Sequence, residues 1–232
     1  MKRILLGVLV LVGLMVHVSP VQALDTNNFT IQSYDIRYTL KRGSDGRSLL
    51  KTIETITAVF PNYDQNHGIE RAIPTQYDKH PTNLAVESVE RLDGTPWNYT
   101  TYDSNDNTVL RIGDASQYVH GKQTYVITYT QQDVTRYFND TKSDEFYWDT
   151  NGIEWAVPID RLTVSLAVDD SLTKNLTGKS ACYQGSQGQD TSCNLDQAAT
   201  VFSTQATKLL PGENLTIAVG FTPHTFTEYQ PS

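Results

Sequence analysis

The sequence predicts an all-β protein: an antiparallel two-sheet β-sandwich, Ig-like or jelly-roll-like, preceded by a signal peptide. Three observations carry that reading. Apolar and polar residues alternate with period 2 in window after window, tyrosine and threonine are abundant, and turn-forming clusters separate the windows. Within those windows no apolar stripe of period 3.6 persists for three turns. About ten short strands with frequent turns mean two packed sheets, with a barrel as the alternative.

The first element is an export signal. Lys2 and Arg3 precede the apolar run of residues 4–18, and Ser19, Pro20, Val21, Gln22 and Ala23 follow, which gives a cationic start, an apolar stretch and a cut after Ala23. The run is shorter than the ~20 residues that span a bilayer, which disfavours a permanent anchor. The expected division is therefore 1–23 signal peptide, 24–226 extracytoplasmic β-sandwich domain and 227–232 polar C-terminal tail. Removing 23 of the 232 residues leaves 209, enough for one large β domain.

Strands are expected, in chain order, at residues 31–41, 50–60, 84–92, 97–102, 109–112, 122–131, 145–148, 162–168, 199–204 and 215–221. The two clearest are 162–168 and 215–221. In the first, Leu162, Val164, Leu166 and Val168 alternate with Thr163, Ser165 and Ala167. In the second, Leu215, Ile217, Val219 and Phe221 follow the turn-forming Pro211 and Gly212. Further turn signals lie at 43–46, 93–96, 103–107 and 149–152.

Charge and cysteine content narrow the partners. Removing Lys2 and Arg3 from the 18 basic residues leaves 16 against 26 acidic ones, a formal charge of −10. No nucleic acid partner is expected, because phosphate binding needs clustered lysine and arginine. Cys182 and Cys193, the two cysteines of the chain, flank a polar, glycine-containing segment, and in an exported chain such a pair reads as a disulfide stapling a loop, against the alternative of two unrelated thiols. The spacing is not that of a redox C-x-x-C motif.

Three segments resemble the extracytoplasmic region of the YciQ-like predicted membrane proteins, domain of unknown function 2207. They are Gly68-Ile69-Glu70-Arg71-Ala72-Ile73-Pro74; the run from Asp144 through Trp148-Asp149-Thr150-Asn151-Gly152-Ile153-Glu154-Trp155 to Ile159; and Cys182-Tyr183-Gln184-Gly185 with Cys193 and Leu210-Pro211-Gly212-Glu213. Together they cover most of residues 31–221. The resemblance implies an all-β domain displayed outside the cytoplasmic membrane of a prokaryote, in a family without established catalytic residues. Family members usually continue into transmembrane helices, so membrane association is expected only through segments absent from this chain. A truncated gene, a fragment and a secreted form all stay open.

Candidate chemistry concentrates in two places. Trp148 and Trp155 flank Asp149, Asn151 and Glu154, and carboxylates beside aromatic rings are the setting in which sugars are bound and cleaved. The alternative is that the aromatics fill the core around an Asp-Thr-Asn-Gly turn. Glu70 and Arg71 form the second candidate, since a guanidinium fork can hold a ligand carboxylate or phosphate; an ordinary ion pair is the competing reading.

Other motifs carry less. Asp103, Asn105, Asn107 and Asp114 imitate the oxygen spacing of a calcium loop, but Thr108 stands where glycine is needed, so a polar hairpin turn is expected. His67, His80, His120 and His224 lack zinc-ligand spacing, and no metal or cofactor is expected. No G-x-S-x-G nucleophile motif occurs, while a triad assembled from distant strands stays open. The sequons at Asn28, Asn98, Asn139, Asn175 and Asn214 carry no weight in a threonine-rich chain. The preferred expectation is a non-enzymatic module binding an envelope protein or glycan. A carbohydrate-active enzyme and a purely structural domain are the alternatives.

Overall fold

The computed structural model describes residues 26–229. The signal peptide read at residues 1–23 lies outside the described residues, as do tail residues 230–232. Among the described residues seventeen strands follow one another: β1 (Thr30–Arg42), β2 (Ser48–Phe60), β3 (Gly68–Pro74), β4 (Gln76–Tyr77) and β5 (His80–Pro81) come first. Next are β6 (Ala85–Glu90), β7 (Tyr99–Ser104), β8 (Asn107–Gly113), β9 (Gly121–Gln132), β10 (Arg136–Phe138) and β11 (Ser143–Asp149). The last six are β12 (Ile159–Val168), β13 (Leu176–Ser186), β14 (Thr191–Ser192), β15 (Asp196–Ala198), β16 (Val201–Leu209) and β17 (Glu213–Phe221). A 3-10 turn at Asp170–Asn175 is capped by Asp169, whose carboxylate accepts from the Ser171 amide. Among the described residues no helix is long and apolar enough to cross a membrane.

A seven-stranded sheet, in the order β15-β16-β12-β1-β2-β9-β6, forms the base of the molecule. Its covered face is written in the period-2 pattern. Tyr34, Ile36, Tyr38 and Leu40 of β1 are buried beside Leu50, Ile56, Ala58 and Phe60 of β2, Tyr125, Ile127 and Tyr129 of β9, and Leu162, Val164 and Leu166 of β12. Two smaller sheets cover that face in a sandwich-like arrangement. One has five strands, β10-β11-β17-β13-β14, and the other three, β3-β8-β7; a ribbon of β4 and β5 completes the set. Contacts between layers are aromatic: Tyr38 meets Phe146 edge-on at 6.1 Å, Tyr34 meets Trp155 at 5.9 Å, and Trp97 stacks on Tyr125 at 4.8 Å. All three sheets share one apolar core.

The expected strands at 31–41, 50–60, 122–131, 162–168 and 215–221 are present, and several other expectations need correction. The sandwich is not wholly antiparallel: β1 pairs with β12 in parallel, Ile36 opposite Val164 and Leu40 opposite Val168. Period-2 alternation marks which face a residue takes and says nothing about strand direction, so the sequence could not reveal this. Residues 68–74, outside the expected strands, form β3, with Arg71 occupying an inward position between Ile69 and Ile73. The strand expected from Trp97 starts at Tyr99, because Trp97 plugs the core and donates its indole N–H to the Thr124 carbonyl at 3.1 Å. The turn at 103–107 narrows to Asn105 and Asp106, both at positive φ.

The cysteine pair also sits differently from expectation. Cys182 and Cys193 are disulfide-bonded, but Cys182 lies inside β13 and is buried against the core. The bond therefore ties a core strand to the returning chain, and the Cys193 amide donates to the Cys182 carbonyl at 2.9 Å. Residues 227–229, read as part of a polar tail, pack on the body. The Thr227 amide donates to the Gly46 carbonyl at 2.9 Å, and Tyr229 stacks on His80 at 5.0 Å.

Candidate functional site

The inward face of β2 carries a charged residue among its apolar and hydroxyl side chains. Glu54 lies opposite Ile36 on one side and Ile127 on the other, and is fully buried. Arg71, 3% exposed, descends from β3 to meet it: Nη2 donates to Oε1 at 2.7 Å and Nε to Oε2 at 2.8 Å. The Tyr129 hydroxyl donates to Glu54 Oε1 at 2.7 Å, Arg71 Nη1 donates to the Ala72 carbonyl, and the Tyr34 ring lies 5.8 Å from the guanidinium. A bidentate, fully hydrogen-bonded pair is the arrangement that buried charges require. Burial pushes the hydroxyls of Tyr34, Tyr38 and Tyr129 well above their ordinary range, and the Glu54 carboxylate pushes them further.

Above this pair opens a cleft of about 500 Å³. Arg71 forms part of its floor. Its walls come from the end of β11, the loop after it, the β13–β14 hairpin and the start of β17. Asp149 and Glu154 are exposed on it, and Tyr147, 38% exposed, presents its ring there. Thr216, paired across from Asp149 in the sheet, donates its hydroxyl to Asp149 Oδ1 at 2.6 Å.

Of the residues singled out in the sequence, Arg71, Trp148, Asp149 and Glu154 line this single cleft. The other three do different things. Asn151 is buried and spends its amide on the backbone: Nδ2 donates to the Gly152 and Glu213 carbonyls at 3.0 and 2.9 Å, and Oδ1 accepts from the Leu215 amide at 3.0 Å. Trp155 packs in the core, with its indole N–H donating to the Asn151 carbonyl at 3.1 Å. Glu70 lies on the opposite face of β3 from Arg71 and binds Arg111 at 2.7 Å and the Tyr102 hydroxyl at 3.0 Å. Glu70 and Arg71 are thus neighbours in sequence with separate partners, as period 2 demands.

Trp148 is buried too, stacked on Phe146 at 5.8 Å, so neither tryptophan offers an open ring face of the kind that holds a sugar. The exposed ring of the cleft is Tyr147, and the half-buried Tyr183 of β13 also lines it. Sequence reasoning passed over Tyr147, although its signal was there: if Phe146 and Trp148 face the core, the residue between them faces out. Tyr183, Asn214 and Thr216 enter the cleft from strands, and Asp190 from the turn between β13 and β14, whose neighbours only the fold defines. The calcium-like residues stay apart: Asp103 accepts from the Thr108 hydroxyl at 3.0 Å in the β7–β8 hairpin, while Asp114 lies beyond the other end of β8. Among the described residues no group of three metal-ligating side chains converges.

With fold and cleft defined, comparison places the chain. The family model described as "Predicted membrane protein (DUF2207) N-terminal domain" matches residues 30–221, and the chain belongs to that family. No curated protein matches it. Among solved structures the fold is similar to part of leukotriene A4 hydrolase from Saccharomyces cerevisiae, with 13% identity and a TM-score of 0.52 over 83% of this chain and 29% of the yeast chain. A second structure of the native yeast protein gives 12% identity and a TM-score of 0.52, over 87% and 31% of the two chains. The chain spans under a third of the length of these proteins, and at such identity the likeness is one of fold.

Proposed function

We propose that the protein is a non-enzymatic extracytoplasmic module that binds an envelope partner, protein or glycan, in the Tyr147 cleft. The observation that carries this reading is the cleft itself, a concave site in which polar side chains surround an exposed aromatic ring. Its location outside the cytoplasm is supported by the Cys182–Cys193 disulfide, by the signal peptide read at residues 1–23, and by membership of a family described as predicted membrane proteins. The test is a pull-down from solubilised envelope with the exported chain and its Tyr147→Ala variant. A partner retained by the first and lost by the second is the expected result; identical capture by both would refute the assignment to this cleft.

A second reading has one observation in its favour: Asp149 and Glu154 are two exposed carboxylates on one cleft, as glycoside hydrolysis requires. Release of reducing ends from envelope polysaccharide, abolished by Glu154→Gln, would replace the binding reading with an enzymatic one.

A further inference from the structure

We infer that the group held in the cleft is a basic side chain, lysine or arginine, presented by a protein partner. This deepens the binding reading above and rests on it. Charge is the first argument. Asp149, Glu154 and Asp190 line the cleft, whereas the sole cation among its described lining residues, Arg71, is locked bidentate onto Glu54 and neutralised there. The space that a ligand enters is therefore anionic, and the excess negative charge of the whole chain adds long-range attraction for a basic partner.

The second argument is an orphaned acceptor. Thr216 has one hydroxyl proton, and it is donated to Asp149 Oδ1. Thr216 Oγ1 must then act as acceptor toward Asn214, which donates from Nδ2 at 3.1 Å. That fixes the amide orientation of Asn214 and leaves Oδ1 pointing away from Thr216. Asn214 is 7% exposed and lines the cleft, and its Oδ1 is buried without accepting a hydrogen bond from any described residue. A buried acceptor left unmatched is costly, and a ligand N–H relieves it where Asn214 turns that oxygen toward the cleft.

Tyr147 supplies the third element. Burial raises its hydroxyl, as do Asp149, Tyr183 and Asp190, which line the cleft with it, while Arg136, outside the cleft lining, lowers it. A cation seated there meets carboxylates, an amide oxygen and aromatic faces together, which is how ammonium and guanidinium groups are recognised. An anionic ligand would be repelled, and an apolar one would bury these carboxylates without compensation.

The test uses NMR titration of the exported chain with short blocked peptides that differ at one position: lysine, arginine, Nε-acetyl-lysine or glutamate. Lysine and arginine peptides should shift the Tyr147 and Asn214 side-chain resonances and bind about 10-fold or more tightly than the acetylated or acidic ones. Raising salt from about 50 to about 300 mM, or substituting Asp149→Asn, should weaken binding several-fold, because both act on the same charge attraction. Equal binding of lysine and acetyl-lysine peptides, or affinity unchanged in Asp149→Asn, overturns the inference. Chito-oligosaccharide serves as the control: if it moves the Tyr147 resonances and the lysine peptide does not, the basic-side-chain assignment fails while the binding module survives. If no envelope partner depends on Tyr147, both fail.

Discussion

Arg71 shows how far a single residue can be read without its neighbours. In the sequence it stands beside Glu70 and looks like a ligand-holding pair; in the fold its partner is Glu54, a residue on an inward position of another strand. The inward place of Glu54 is legible from the alternation of Leu50, Thr52, Ile56 and Ala58, but which guanidinium comes to meet it depends on how one sheet lies on another. The energetic consequence is asymmetric. Removing one partner of a buried pair strands the other, at a cost of about 3–5 kcal/mol, whereas replacing both with apolar residues of similar volume can be nearly neutral. Urea unfolding of Glu54→Gln should therefore show a loss of that size. A double variant, Glu54→Leu with Arg71→Met, should recover much of it, and equal losses in both would mean that the pair acts as a net stabiliser.

At the scale of elements, legibility followed burial pattern. β11 and β17 were readable because their inward residues are large and apolar, and β13 was not, because glycine and polar residues leave Cys182 as its only buried side chain. The β3–β8 pair was obscured for another reason. Gly68 and Gly113 face each other at φ of 146° and 142°, and a Cβ on either would approach the backbone carbonyl opposite to within 2 Å. Two glycines that look like loop residues in the sequence are there to let two strands pass at close range. The disulfide acts on the element that the sequence hid. Closing the loop between Cys182 and Cys193, eleven positions apart, should contribute roughly 2–3 kcal/mol, so the Cys182→Ser, Cys193→Ser double variant should unfold at correspondingly lower denaturant. An unchanged midpoint would show that β13 is held by its pairing with β17 alone.

For the molecule as a whole, titrating groups set the response to acid. Burial holds His80 below its ordinary value of 6.5, so the unfolded chain takes up that proton first and stability falls as pH drops through 6.5 toward the folded-state value. Asp93, Asp114 and Asp169 are held below 3.8 by hydrogen bonds: Asp93 by the amide and hydroxyl of Thr95, Asp114 and Asp169 by the hydroxyls and amides of Ser116 and Ser171. Their contribution is present above 3.8 and is lost as pH falls below it. Melting temperatures from pH 8 to pH 3 should decline in two stages, and His80→Gln should remove the first. An all-β, layered architecture was predictable from composition and periodicity. The cleft was legible only in part, since Arg71, Trp148, Asp149 and Glu154 come from two segments whereas Asp190, Asn214 and Thr216 are brought to them by sheet order.

The parallel pairing of β1 with β12 also governs what happens while the chain is being made. Emerging from a ribosome or a translocon, β1 can fold back on β2 at once, and β9 can add itself to β2 later. The other edge of β1 waits for its partner until Val168 has appeared, 126 residues after Arg42, or roughly 6 to 25 s at 5–20 residues per second. During that interval a long row of unmet amides and carbonyls is open to the same strand of another nascent chain. The unfinished polypeptide thus exposes an edge that the folded protein covers, and slower delivery of residues 43–168 should lower the yield of folded protein.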